Sequence, residues 1–178
     1  MVPLLLMVLC ARPTHIPPIA EIMGIRVGYD GRGRLERVFG DGLYMVGGHP
    51  NGAEVWEFAR PRSQLYAEGF SYTAHEGETI EHLSWMSDSK EDAGKRRGAL
   101  RRSRGWLGKI YLGMQQAEAL QLASQRLGQP KINKGEYEWT QTGWSVPAFL
   151  NGQDPLKTWT ATLDCAKGKV KSVVVSSD

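Results

Sequence analysis

The stretch of sequence that decides the fold is residues 113–130, GMQQAEALQLASQRLGQP. Alanine, leucine and glutamine dominate residues 115–127, and all three residue types favour a helix. Gly128 follows at once and Pro130 comes two residues later, an order that is typical of the end of a helix. The stretch therefore predicts a helix over residues 115–127.

Runs of residues with strand character follow this helix, at residues 136–140, 143–149, 158–165 and 170–175. Lys167-Gly168 predicts a tight turn between the last two runs. That turn would pair Asp164 with Lys171 and would place Cys165 beside Val170 on the inner face of the sheet. The second part of the chain thus predicts a helix followed by antiparallel strands.

The first part of the chain shows a similar order. Residues 33–39 predict a helix with Asp30 as its N-cap and Gly40 at its end. Residues 43–46, 54–58, 69–74 and 79–85 have strand character. A turn at Glu76-Gly77 would pair Phe70 with Leu83 across the last two runs.

A single unit of this kind, about 65–70 residues long, buries limited surface, so two units packed together are favoured. We predict an α+β fold of two tandem units, each a helix or short helical pair on a three- to four-stranded antiparallel sheet. The predicted division is a signal-like segment and proline-rich tether (1–20), a first unit (21–86), a basic glycine-containing linker (87–109) and a second unit (110–178).

Composition narrows the class of protein. The chain has 178 residues, of which 41% are hydrophobic and 23% charged, so a packed core is expected. No apolar run reaches the roughly 18 residues that a membrane-spanning helix needs. Two cysteines are too few for a disulfide scaffold or a four-cysteine zinc site. We expect no cofactor, no metal and no transmembrane span.

The first 11 residues, MVPLLLMVLCA, are apolar and uncharged. Their length fits the hydrophobic region of a secretory signal, although a basic start is missing. We therefore expect a periplasmic or secreted protein, or a cytoplasmic one if residues 1–11 are retained.

A basic segment lies between the two predicted units. Residues 90–109 hold eight basic and two acidic residues, so their net charge of +6 exceeds the +3 of the whole chain. Such a segment is either a solvated linker or a binder of anionic polymer, nucleic acid or lipid surface. The residues that would contact an anionic partner are Lys95, Arg96, Arg97, Arg101, Arg102 and Arg104.

Three short motifs follow one another in the second unit: Gly113-Met114, then Leu127-Gly128-Gln129-Pro130 with Trp139, then Gly168-Lys169-Val170. This pattern resembles the small envelope lipoproteins of the SmpA/OmlA (BamE) family, and two such units in tandem resemble the β-lactamase inhibitor protein architecture. The resemblance covers residues 110–175 well and the first half in outline. It implies a helix-plus-antiparallel-sheet fold and a non-enzymatic protein that binds another protein through its sheet or loops.

The candidate binding residues are aromatic and polar groups on predicted strands and loops: Tyr44, His49, Asn51, Trp56 and Trp144. A hydrolase using the hairpin histidines His75 and His82 is the last-ranked alternative. These histidines lack the spacing of a zinc protease. No glycine-rich nucleotide motif and no serine-nucleophile motif occurs in the chain.

Overall fold

The computed structural model describes residues 16–41, 43–45, 53–59, 62–73, 77–87, 105–144 and 156–178. These residues form two α-helices, an eight-stranded antiparallel sheet and a separate two-stranded hairpin. The combination confirms the predicted α+β class and the antiparallel sheet. Neither of these helices is long and apolar enough to cross a membrane.

The elements follow one another in two similar series. A 3-10 turn, Pro18–Ala20, leads into a hairpin of β1 (Glu21–Ile22) and β2 (Ile25–Arg26). The first series is then α1 (Arg32–Phe39), β3 (Leu43–Met45), β4 (Ala53–Ala59), β5 (Arg62–Thr73) and β6 (Gly77–Ser87). The second is α2 (Gln116–Leu127), β7 (Lys131–Asn133), β8 (Glu136–Trp144), β9 (Leu156–Ala166) and β10 (Lys169–Ser177).

The strand order of the large sheet is β3-β4-β5-β6-β10-β9-β8-β7. The last strand of each series thus lies at the centre, where β6 and β10 pair antiparallel with Trp85 opposite Val173. The two short strands, β3 and β7, lie at the two edges. One continuous sheet therefore includes strands from both halves of the chain.

Similar backbone contacts precede the helix in each half. In the first half, the N–H of Gly28 donates to the carbonyl of Ile80 at 2.7 Å, and the Ile80 N–H donates to the carbonyl of Asp30. In the second half, the N–H of Gly113 donates to the carbonyl of Val170 at 2.8 Å, and the Val170 N–H donates back to Met114. Both glycines have a positive φ, 75° and 85°. Each helix is thereby held against the last strand of its own series.

The two helices also end in the same way. Gly40 and Gly128 follow α1 and α2 with φ of 79° and 82°. The indole N–H of Trp56 in β4 donates to the Gly40 carbonyl at 2.8 Å, and that of Trp139 in β8 donates to the Gly128 carbonyl at 2.9 Å. Each tryptophan therefore satisfies a carbonyl that a helix end leaves without an intrahelical partner.

The core is one hydrophobic cluster on one face of the sheet, which we call the inner face. Leu35 of α1 and Ala119 and Ala123 of α2 are buried in it, together with Ile19 and Ala20. The 3-10 turn that holds Ile19 packs against β8, β9 and β10. The prediction of an extended tether is therefore wrong for residues 18–20, because they form the 3-10 turn and Ile19 and Ala20 are fully buried.

Residues 105–109, predicted as part of the linker, also belong to the packed body. Trp106 is fully buried, its indole N–H donates to the Ile19 carbonyl at 3.3 Å, and its ring lies 5.4 Å from that of Trp139. Gly105 accepts a hydrogen bond from the N–H of Met23. The rest of the predicted linker, residues 88–104, lies outside the described residues.

The predicted helix over residues 115–127 is confirmed from Gln116 onwards, with Gln115 as its N-cap and Gly128 at its end. The first helix is confirmed over residues 33–39, but its predicted N-cap is wrong. Asp30 forms an ion pair with Arg26 at 2.7 Å and accepts a hydrogen bond from the Arg26 backbone N–H, so its carboxylate is not available to cap α1.

Of the two predicted hairpin registers, the one between β9 and β10 is largely confirmed and the one between β5 and β6 is wrong. Lys167-Gly168 is the turn, and Cys165 pairs with Val170 as predicted. A bulge after Val170 places Asp164 opposite Ser172, yet its carboxylate still lies 3.4 Å from the Lys171 ammonium. The Glu76-Gly77 turn is wrong: Thr73 pairs with Gly77, which puts Leu83 opposite Ala67 rather than Phe70.

Candidate functional site

The second face of the large sheet, which we call the outer sheet face, carries the candidate site. Side chains alternate between the two faces of a strand, and both helices pack on the inner face. One row of directly paired residues crosses six strands of the outer sheet face. It runs from Val55 through Tyr66, Ser84, Val174 and Thr162 to Glu138.

A parallel row contains an ion pair near its centre. Glu68 pairs with His82, His82 with Ser176, Ser176 with Thr160, and Thr160 with Thr140. The His82 Nε2 and Glu68 Oε1 atoms are 3.6 Å apart, and the side chains are 31% and 20% exposed. These two groups are near enough to attract one another when the imidazole is protonated.

Threonine dominates the half of the outer sheet face formed by β8 and β9. Thr140 pairs with Thr160 and Thr142 with Thr158, while Thr162 lies one pair further along. Thr140 and Thr142 are exposed and the other three are half-buried. A hydroxyl both donates and accepts hydrogen bonds without carrying charge, so this region suits contacts with uncharged polar groups such as peptide amides.

The outer sheet face offers room for part of a protein interface. The six longer strands, β4, β5, β6, β10, β9 and β8, span about 24 Å at a spacing of about 4.8 Å, and five residues per strand add about 17 Å. The projected area is about 400 Å², about half of the roughly 800 Å² that each partner buries in a standard protein interface.

The structure places one of the five candidate binding residues in the core. Trp56 is 2% exposed, packs with the Phe39 ring at 6.2 Å and caps α1 through its N–H. A buried indole that is already hydrogen-bonded is not a surface anchor, so that hypothesis is corrected. In the sequence, Trp56 and Trp139 each follow a predicted helix. This shared position could have predicted that both indoles cap a helix end.

The remaining candidates are only partly described. Tyr44 lies in β3 opposite Glu54, and Trp144 lies in β8 opposite Leu156. His49 and Asn51 lie outside the described residues, as do His75 and all six basic residues from Lys95 to Arg104. Tyr44 and Trp144 lie on strands near opposite ends of the sheet, and the predictions about all of these candidates stay predictions.

Two kinds of titratable group bear on chemistry in the part of the chain that is described: possible metal ligands and the thiol of Cys165. There, no cluster of three or more histidine, cysteine, aspartate or glutamate side chains could hold a metal ion. Cys165 is a free, half-buried thiol. Burial raises the pKa of Cys165, and the neighbouring Asp164 carboxylate raises this pKa further, so both effects disfavour the reactive thiolate.

Comparison with protein-family models, curated proteins and solved structures finds no match to this chain. The resemblance to the SmpA/OmlA family therefore rests on the motif residues of the sequence alone.

Proposed function

We propose that this chain is a non-enzymatic protein-binding module made of two tandem helix-plus-sheet units, and that it binds its partner through the outer sheet face. The tandem arrangement is supported by the recurrence of the Gly28 and Gly113 contacts and of the two tryptophan caps in corresponding places. Pairing of β6 with β10 joins the two units into one binding surface.

The observation that carries this proposal is the position of the helices. Because α1, α2 and the 3-10 turn all pack on the inner face, none of these elements covers the outer sheet face, where Val174 and Thr162 are half-buried and Ser84 is buried. Its hydroxyl groups can form hydrogen bonds with a partner while losing little side-chain entropy. A polar, hydrated interface of this kind occurs in antibody–antigen complexes.

Partner capture from native envelope extract tests the proposal when it is combined with surface variants. The first variant carries Thr160→Arg and Ser176→Arg at the centre of the outer sheet face. Its matched control carries Gln121→Arg and Gln125→Arg on the exposed side of α2. Both variants add two positive charges, so non-specific charge effects are equal.

We expect one discrete protein to be retained by the wild-type chain and by the α2 control, and to be lost from the outer-face variant. Affinity measured with the purified partner should fall at least tenfold in the outer-face variant alone. Equal retention by all three chains would show that the partner binds elsewhere.

Export to the periplasm or cell exterior is part of the same proposal, and it is supported by the apolar residues 1–11. Amino-terminal sequencing of the protein purified from its native cells tests it. A start after residue 11 is expected, whereas an intact start in a cytoplasmic fraction would contradict export.

The second candidate function is binding of an anionic polymer or lipid surface, which the +6 charge of residues 90–109 favours. Replacement of Arg96, Arg97, Arg101 and Arg102 by alanine should abolish binding to nucleic acid or to vesicles with anionic lipid. Electrostatic binding of this kind also weakens steeply with salt. Binding that survives both the replacements and moderate salt would contradict this candidate.

A further inference from the structure

The edge of the large sheet at β8 is only partly covered by β7. Strand β7 pairs with Glu136, Tyr137 and Glu138, whereas β8 continues to Trp144. Strand β7 begins at Lys131, only a few residues after α2 ends at Leu127, and the chain reaches it directly from that helix. β7 therefore begins too late to pair with residues 140–144 of β8.

The register shows which backbone groups face this edge. Lys134 and Gly135 form a two-residue turn with φ of 50° and 87°, so Asn133 and Glu136 are a hydrogen-bonded pair. Hydrogen-bonded and non-hydrogen-bonded pairs alternate along an antiparallel ladder. The even-numbered residues of β8 therefore direct their N–H and C=O groups towards the β7 side.

The pairing of β8 with its other neighbour, β9, leads to the same assignment of edge-facing residues. The Lys167-Gly168 turn makes Ala166 and Lys169 a hydrogen-bonded pair. The N–H of Thr158 donates to the Asp178 carbonyl, so the even-numbered residues of β9 bond towards β10. The odd-numbered residues of β9 and β8 must then bond to each other, and Thr140 and Thr142 of β8 are left facing the edge.

No described residue pairs with the edge side of Thr140 or Thr142, and both residues are exposed. Two N–H donors and two carbonyl acceptors thus stand in a row. Beside them, Ile132 of β7 is 68% exposed. Such a row is a template for one more strand.

We propose that an extended segment of the partner protein adds to the sheet as a strand beside residues 140–144, in line with β7. This inference rests on the proposed protein-binding function and specifies its mode. The segment lacks proline at the paired positions and is rich in β-branched or hydroxyl residues, since these pack well beside Thr140 and Thr142.

A second copy of the chain is a poorer occupant than an extended segment. The open edge is five residues, about 17 Å, long and about 5 Å wide. A folded copy that touched only this strip would bury far less than the roughly 800 Å² per partner of a stable interface. An extended segment is not limited to the strip, because it can continue across Ile132 or onto the outer sheet face.

Selection of displayed random octapeptides on the full chain tests the proposal, followed by binding assays with the best synthetic peptide. Thr142→Pro removes an edge-facing N–H that the ladder does not use, and Thr142→Ala is the matched control that keeps it. The peptide should bind the wild-type chain and the alanine variant equally, and should bind the proline variant at least about tenfold more weakly.

Amide hydrogen exchange of the wild-type chain decides the matter even if the proline variant does not fold. The Thr140 and Thr142 amides should exchange quickly in the free chain and become protected when the peptide binds. Failure to select a peptide, equal binding by the folded proline variant, or prior protection of both amides would overturn the proposal. Loss of the captured partner through Thr160→Arg and Ser176→Arg, with no effect of Thr142→Pro, would leave the proposed function standing and refute this inference alone.

Discussion

Substitution of the two corresponding glycines by alanine should have unequal effects on stability. At Gly28 an added Cβ would lie 2.9 Å from the Ser177 Oγ and 3.1 Å from the Trp159 Nε1. At Gly113 an added Cβ would have no atom within 4 Å. The two positions thus share a positive φ and differ in the space around them.

The expected losses of stability follow from the positive φ and from the space around each glycine. The left-handed backbone conformation costs an L-residue about 1–2 kcal/mol, and this cost applies to both variants. Overpacking adds about 1–3 kcal/mol at Gly28 alone, because the Trp159 indole is held by its hydrogen bond to the Val27 carbonyl at 2.7 Å. Gly113→Ala should therefore lower the free energy of unfolding by about 1–2 kcal/mol and Gly28→Ala by about 2–5 kcal/mol.

Urea unfolding followed by tryptophan fluorescence measures both values in one assay. A double-mutant cycle then tests the cause, because Ser177→Gly removes the nearest contact of the new methyl group. Gly28→Ala should cost less when Ser177→Gly is already present. Equal destabilisation by the two alanine variants, or no coupling to Ser177, would refute the reasoning.

Three further predictions concern the caps, the thiol and a tight turn. Trp139→Phe and Trp56→Phe each remove the N–H that caps a helix and should each lower the free energy of unfolding by about 1–3 kcal/mol, measured by urea unfolding. With the chain's other cysteine replaced by serine, Cys165 should react slowly with a chromogenic disulfide at neutral pH. Asp164→Asn should speed this reaction, because removing the negative charge lowers the thiol pKa. Gly105→Ala would press a methyl group against a backbone carbonyl, and the melting temperature should fall by more than in any of these variants.

Local signals predicted the parts of the fold that are local in origin. The bounds of α2 follow from helix-favouring residues and a glycine stop, and the Lys167-Gly168 turn follows from its own two residues. The Glu76-Gly77 register failed because Gly77 already lies in β6, where it pairs with Thr73. A glycine can lie in a strand as well as in a turn, so its presence alone did not fix the register.

Strand order and side-chain burial depend on contacts between distant parts of the chain, and local sequence patterns did not predict them. The pairing of β6 with β10 joins residues about 90 positions apart, and no local motif encodes it. Trp56 was predicted at the surface because an aromatic residue on a strand can equally be a surface residue that anchors a partner or a buried residue of the core. The open edge of β8 also escaped prediction, since it depends on how far β7 extends along its neighbour.

The central position of β10 has a consequence for the synthesis of the protein. While residues 88–168 are being translated, β6 has its partner β5 on one side but must wait for residues 169–177 on the other. An unpaired strand that contains Leu83 and Trp85 would then be exposed to other nascent chains. The protein should therefore acquire its native sheet late in translation and should depend on chaperones until β10 is inserted.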